Sequence, residues 1–279
     1  MFTLNCNGRL FVIDKPIVMG IINVTPDSFY AASKKQSIDE ALQQAEEMLA
    51  EGATILDAGG QSTRPRSTRI SVEEEMERVI PVIEAINKNF PEAYISVDTY
   101  YANVAENAVA AGACIVNDIS GGTMDEKMLS TVGRLNVPYI CMHIKGTPEN
   151  MQDNPKYENV TAEVLDFFIH QTEKCRLNNI NDVIIDPGFG FGKTHAHNFT
   201  LLKELSAFKI LDKLIVVGLS RKATIYKTLK ITADESLNGT TVLNTIALLN
   251  GANILRVHDV KEAVQAIELT EAFRKEVNY

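Results

Sequence analysis

"PIVMGIINV", residues 16–24, is an apolar run of strand length that does not alternate with polar side chains. A strand with one wet face alternates, whereas a strand buried on both faces reads as a continuous run. Seven further runs share this character: "ATILDAG" (53–59), "AYISVDT" (93–99), "ACIVNDI" (113–119), "PYICMHI" (138–144), "DVIIDPG" (182–188), "LIVVGLS" (214–220) and "NILRVHD" (253–259). Helix-like segments separate them. "SIDEALQQAEEMLAEGA" opens on Ser37 as a cap with Glu40 three residues on, and ends at Gly52. "SVEEEMERVIPVIEAINKN" repeats the device with Ser71 and Glu74, and four helical stretches follow: "YANVAENAVAAGA", "VTAEVLDFFIHQTEKCRLNN", "NGTTVLNTIALLNGA" and "VKEAVQAIELTEAFRKE". Eight strands alternating with helices over about 250 residues predict a parallel sheet closed into a single (β/α)8 TIM barrel. No linker rich in Pro, Gly or Ser divides the chain, so residues 1–279 read as one domain. Asn7-Gly8 between apolar stretches predicts an N-terminal hairpin over residues 1–15 that closes the bottom of the barrel.

The bulk composition excludes several classes. The 279 residues are 45% hydrophobic and 23% charged, which is neither disordered nor collagen-like. No apolar stretch approaches the roughly 20 residues of a membrane span, and "MFTLNCNGRLFVIDK" lacks the features of a signal peptide, so a cytoplasmic location is expected. The net charge of -9 argues against nucleic acid as a partner. Cys6, Cys114, Cys141 and Cys175 form no Cys-x-x-Cys pair and read as reduced thiols, Cys114 and Cys141 inside the core.

Barrels of this kind carry their chemistry on the loops after the C-terminal ends of the strands. The polar residues at those ends are Asn23, Asp57, Asp98, Asn117, His143, Asp186, Ser220 with Arg221 and Lys222, and Arg256 with His258. Any one of them could be a helix cap or turn residue, but the topology gathers all of them at one mouth. Asp98, Asn117 and Asp186 suit a flat heterocycle with several N–H donors, since a carboxylate accepts two parallel bonds from a guanidine-like edge. Arg64, Arg221, Lys222, Arg256 and His258 form a cationic set suited to phosphate or carboxylate. "GGQSTRPRSTR" reads as a mobile flap holding an anion, or as a solvated loop. "PGFGFGKT" has Pro187 where a phosphate-binding loop needs its first Gly, and "HAH" at 195–197 has no third metal ligand at useful spacing. Neither a nucleotide site nor a metal site is expected there.

"MGIINVTPDSF", "DAGGQSTRP", "ISVDT", "IVNDISGG", "CMHIKGTPENMQ", "IIDPGFGFGKT", "VGLSRK" and "LRVHD", in this order from about residue 17 to 260, resemble the dihydropteroate synthase family of folate biosynthesis. The resemblance implies a TIM-barrel transferase that joins 6-hydroxymethyl-7,8-dihydropterin pyrophosphate to para-aminobenzoate, with release of pyrophosphate. It implies Asp98, Asn117, Met142, Asp186, Gly218 and Lys222 at the pterin. It implies Asn23, Arg64, Arg256 and His258 at the pyrophosphate, Asn23 beside Mg²⁺ as the only expected cofactor. Thr63, Pro65, Phe191 and Lys222 match the para-aminobenzoate region, and Asp98, Lys222 and Arg256 are the expected catalytic residues. The family is a sulfonamide target and commonly a homodimer.

Three departures accompany the match. "SFYAAS" replaces a Gly-containing stretch in the first loop; Gln61 stands where Glu is common, which would tether the second loop less tightly; and Ala223 replaces a Ser, which would alter para-aminobenzoate affinity. A pterin-binding methyltransferase domain or a catalytically inactive pterin-binding barrel is the alternative reading.

Overall fold

Each of the eight apolar runs forms a strand in the computed structural model, which describes residues 1–24 and 31–276. The strands are β3 (Ile17–Asn23), β4 (Ile55–Gly59), β5 (Tyr94–Asp98), β6 (Ile115–Asp118), β7 (Tyr139–Met142), β8 (Val183–Asp186), β9 (Leu214–Val217) and β10 (Ile254–Val257). They close into a parallel barrel in which β10 pairs with both β3 and β9. Helices α1 (Ala31–Ala50), α2 (Val72–Asn89), α3 (Ala102–Ala110), α4 (Met128–Leu135), α5 (Val160–Leu177), α6 (His195–Lys203), α7 (Ala223–Leu229), α8 (Leu237–Leu249) and α9 (Val260–Glu276) lie between or after them. Among the described residues no helix is long and apolar enough to cross a membrane.

Local signals account for most boundaries. Ser71 accepts a hydrogen bond from the Glu74 amide at 3.1 Å, and Glu73, Glu74 and Glu75 place negative charge in the first turn of α2. At α1 the expected cap is corrected: the helix begins at Ala31, so Ser37 lies inside it. The preceding "AASKKQ" is rich in good helix formers, which extend the helix past the serine. Of "SFYAAS", read as an altered first loop, residues 28–30 lie outside the described residues, and Ala31, Ala32 and Ser33 form the start of α1 rather than loop.

The bottom of the barrel is closed as expected. β1 (Phe2–Cys6) pairs antiparallel with β2 (Arg9–Ile13) through Asn7 and Gly8, whose φ angles of 53° and 83° match a type I′ hairpin. Leu4, Cys6, Phe11 and Ile13 pack with Ile55, Ile115, Ile140, Ile184 and Ile254 in an apolar cluster under the strands. Phe11 stacks on Tyr94 with ring centroids 4.0 Å apart, and Arg9 lies over the same ring while donating to the Pro91 and Glu92 carbonyls. All four cysteines are buried free thiols.

Candidate active site

At the other end of the barrel the strand termini bring polar groups together in a low-dielectric setting. Asp57, Asp98, Asn117 and Asp186, from β4, β5, β6 and β8, are all buried. Asn117 Nδ2 donates to Asp57 Oδ2 at 3.0 Å. Arg256, from β10, spans two of the carboxylates: Nε donates to Asp57 Oδ2 and Nη2 to Asp98 Oδ2, both at 2.6 Å. Its Nη1 has no protein partner among the described residues. Asp57 Oδ1 and Asp98 Oδ1 are buried and accept no hydrogen bond from the described residues, two acceptors whose bonds remain to be made. Burial pushes Asp98 up to about 7 against the pull of Arg256, with Asp57, Asp118 and Asp186 adding to the rise. Asp186 is also raised by burial, while its Oδ1 accepts from the Gly188 amide at 2.8 Å.

Lys222 caps α7 and reaches back over the mouth. Its Nζ donates to the Phe189 carbonyl at 2.5 Å and lies 4.7 Å from the Phe191 ring centroid. Burial lowers it to about 8, opposed by Asp186. A Cβ at Gly218 would sit 3.6 Å from Lys222 Nζ and 4.0 Å from Arg256 Cβ, so glycine keeps the space between the two cations open. Met142, buried at the end of β7, pairs in register with Asp186 and completes that wall. Asn23 is exposed at the end of β3. Thr63, Arg64 and Pro65 lie on the loop after β4, with Arg64 and Pro65 exposed.

The expected cationic set is smaller than the sequence suggested. Arg221 is turned away: Nε and Nη2 bind Asp259 at 3.0 and 2.7 Å. His143 is buried against Lys193, and burial drives its pKa down to about 2. His258 shares a 3.0 Å hydrogen bond with Ser220 Oγ, and burial, with Arg256 next in effect, lowers it to about 4. It is therefore a neutral imidazole at pH 7 and can serve an anion only as a hydrogen-bond donor. Gln61 is held in place, donating to Tyr100 Oη and accepting from the Ile70 amide at 3.3 Å, so loss of the acid does not untether the second loop there.

The pterin binding enzyme family profile matches residues 19–258. The dihydropteroate synthase of Escherichia coli (strain K12) is 43% identical over 271 residues, 96% of this chain and 95% of that one. The chain belongs to the dihydropteroate synthase family. Yersinia pestis dihydropteroate synthase, solved with a sulfonamide drug complex, superposes with a TM-score of 0.92 at 40% identity, over 98% of this chain and 100% of that one. The Xanthomonas albilineans dihydropteroate synthase structure with 4-aminobenzoic acid gives 0.90 at 38% identity, covering 98% of each chain.

Against this family background, two residues stand out to which the sequence reading gave no role in the site. Asp57 was visible only as one strand-end carboxylate among many; its contact with both Asn117 and Arg256 puts it at the centre of the network. Lys193 was set aside with the phosphate-loop lookalike. Its amine donates to the carbonyls of Gly188, Phe191 and His143, and the residue is buried beneath the loop that carries Phe191.

Proposed function

We propose that this chain condenses 6-hydroxymethyl-7,8-dihydropterin pyrophosphate with para-aminobenzoate to give 7,8-dihydropteroate and pyrophosphate. The observation that carries the reading is the buried Asp57–Arg256–Asp98 bridge, with one acceptor oxygen on each carboxylate left without a donor among the described residues. Asp98, Asn117 and Asp186, joined by Asp57, receive the N–H edge of the pterin, with Met142 and Gly218 as its walls. The carboxylates around the ring offset the positive charge that develops when the methylene C–O bond breaks.

In this reading the bonding electrons leave with pyrophosphate, which gains charge as it departs. Arg256 Nη1, Arg64 and the neutral His258 N–H meet that charge, as does Asn23. The amine of para-aminobenzoate then forms the C–N bond and loses a proton. Thr63, Pro65, Phe191 and Lys222 hold the aromatic amine over the cation. Lys222, lowered to about 8, stands between the two substrates.

Among the described residues no group of three His, Cys, Asp or Glu could hold a metal ion, and Asn23 offers a single exposed amide oxygen. That donor set fits Mg²⁺ carried largely by pyrophosphate oxygens and water, the usual arrangement for a hard ion that dehydrates reluctantly. Mg²⁺ bound so would offset charge on the leaving group. A cytoplasmic homodimer is the assembly proposed. Val242, Ile246 and Leu249 on α8 and Leu269 and Phe273 on α9 are exposed, an apolar surface on two packed helices.

The test is product formation by purified protein with dihydropterin pyrophosphate, para-aminobenzoate and Mg²⁺. Product requiring both organic substrates supports the reading. Tight pterin binding without turnover would replace it with an inactive barrel or a methyltransferase domain.

A further inference from the structure

Residues 188–192, "GFGFG", form no helix or strand, and Gly188, Gly190 and Gly192 have φ of 69°, 84° and 65°. A segment of this kind would ordinarily be loose. Here all five of its carbonyls accept a hydrogen bond from a side chain. Gly188 O and Phe191 O accept from Lys193 Nζ, each at 3.0 Å. Phe189 O accepts from Lys222, Gly190 O from Gln152 at 2.6 Å and Gly192 O from Tyr157 Oη at 2.9 Å. Lys193 alone holds two of the five, one at each end of the turn around Phe189 and Gly190.

Lys193 also ties this segment to the neighbouring loop. Its Nζ lies 2.9 Å from His143 Nδ1 and 3.3 Å from the His143 carbonyl, just beyond β7. The backbones are close: a Cβ at Gly188 would stand 2.0 Å from the His143 carbonyl oxygen, and one at Gly192 would stand 2.3 Å from that of Lys145. The side chain is 1% exposed and none of its hydrogen-bond partners is a carboxylate. Burying an amine without an acid is unfavourable, and burial accordingly lowers its pKa far below that of a solvated lysine. Its compensation is the set of contacts it makes, and those converge on the backbone that carries Phe191.

We propose that Lys193 is a positioning residue for the aromatic-amine substrate: by holding the carbonyls of Gly188 and Phe191 it keeps the Phe191 ring against Lys222. The inference rests on the reading above that Phe191 and Lys222 face para-aminobenzoate. It separates the two substrates. Of the proposed pterin acceptors, Asp57, Asp98 and Asn117 sit on other strands, and Asp186, which ends β8 just before the segment and accepts from the Gly188 amide at 2.8 Å, receives no hydrogen bond from Lys193.

Lys193→Met keeps the unbranched apolar stem of the side chain and removes every donor. The expected result is a KM for para-aminobenzoate raised about tenfold or more, with the KM for dihydropterin pyrophosphate within about threefold of the parent. Should the Met variant not fold, Lys193→Gln, whose short amide can reach only one side of the loop, is read in the same way. An unchanged para-aminobenzoate KM in a folded variant, or both KM values rising together, overturns the proposal.

A second readout does not depend on turnover. The chain has no Trp, so Phe191→Trp supplies a single tryptophan, excited selectively over the tyrosines, at the ring in question. Adding Lys193→Met to that background is expected to lower its anisotropy and at least double quenching by acrylamide. Identical anisotropy and quenching would overturn the pinning role. Released fluorescence in a parent that forms no dihydropteroate would instead keep the pin and remove the functional reading.

Discussion

The two ends of the barrel are built on opposite principles. At the bottom, hairpin side chains fill the space under the strands with apolar contacts, and the ring pair Phe11–Tyr94 seals the edge. At the mouth, three carboxylates, two lysines and an arginine are buried or half-buried, and two carboxylate oxygens have no donor among the described residues. Burial without pairing is costly. The bottom therefore stabilises the fold, while the mouth holds polar groups in positions whose full complement of bonds requires a ligand. Stability and activity should then separate along the barrel axis.

The largest expected effect tests the lower end. Phe11→Ala removes a buried aromatic side chain and its stacking partner, and should cost about 3–5 kcal/mol of unfolding free energy. Below its lowered melting transition the variant should turn over at the parent rate. A loss of kcat/KM parallel to the loss of stability would break the division between the ends.

Arg256→Ala tests the mouth. Removal of a preorganised cation from the leaving-group side should lower kcat/KM by a hundredfold or more, on the order of 2–4 kcal/mol. Asp57 and Asp98 lose their counter-charge, but Asp98, already raised to about 7, can take up a proton instead. The thermal transition should therefore fall less than in Phe11→Ala. Unaltered turnover with unaltered pyrophosphate affinity would remove Arg256 from the proposed role.

A third effect, about 2 kcal/mol, comes from pH. His258 is lowered to about 4, so between pH 6.5 and 4 the unfolded chain binds a proton that the folded chain refuses. Stability due to this residue is present above pH 6.5 and is lost as pH falls toward 4. Asp98 acts in the opposite sense: raised to about 7, it binds its proton more tightly when folded, and its contribution declines as pH rises from 4 to 7. The two slopes oppose one another within one cluster. His258→Gln removes the first, so denaturant titrations should show the variant gaining on the parent as pH is lowered from 6.5 to 4.5. Parallel pH profiles would mean that His258 titrates as in a solvated chain.

How much of this was legible follows from the range of the interactions involved. The eight barrel strands were legible because two-sided burial writes itself into each run, and the hairpin because Asn7-Gly8 accepts two positive φ angles. Helices α4, α6 and α7 were not read as helices: α4 and α7 have no side-chain cap, and α6 pairs Thr194 with His197 rather than with Glu or Gln, so none carries the capping signature that marked α2. Strand-end position located the mouth, yet it could not say where each side chain would turn. Arg221 finds Asp259, 38 residues on, and His143 finds Lys193, 50 residues on. Such partners are chosen by packing between loops, which leaves no local pattern. Asp57 shows the converse: an unremarkable carboxylate in sequence becomes central because Arg256, 199 residues away, lands on it.

The smallest predicted effect sharpens the contrast within the mouth itself. α7 begins at Ala223, directly after Lys222, so the first side chain of that helix borders the proposed para-aminobenzoate region but contributes no polar group. Ala223→Ser adds one hydroxyl there. A net hydrogen bond to the substrate carboxylate is worth about 1 kcal/mol, which corresponds to a fall of roughly fivefold in the KM for para-aminobenzoate. The pterin side should not respond, because Asp57, Asp98 and Asn117 bind through different strands. A drop confined to the aromatic amine would show that this edge of the mouth is polar by substitution, whereas the pterin edge is polar by construction. Equal KM values in parent and variant would mean that the carboxylate is held elsewhere, by cations of the site such as Lys222 or Arg64.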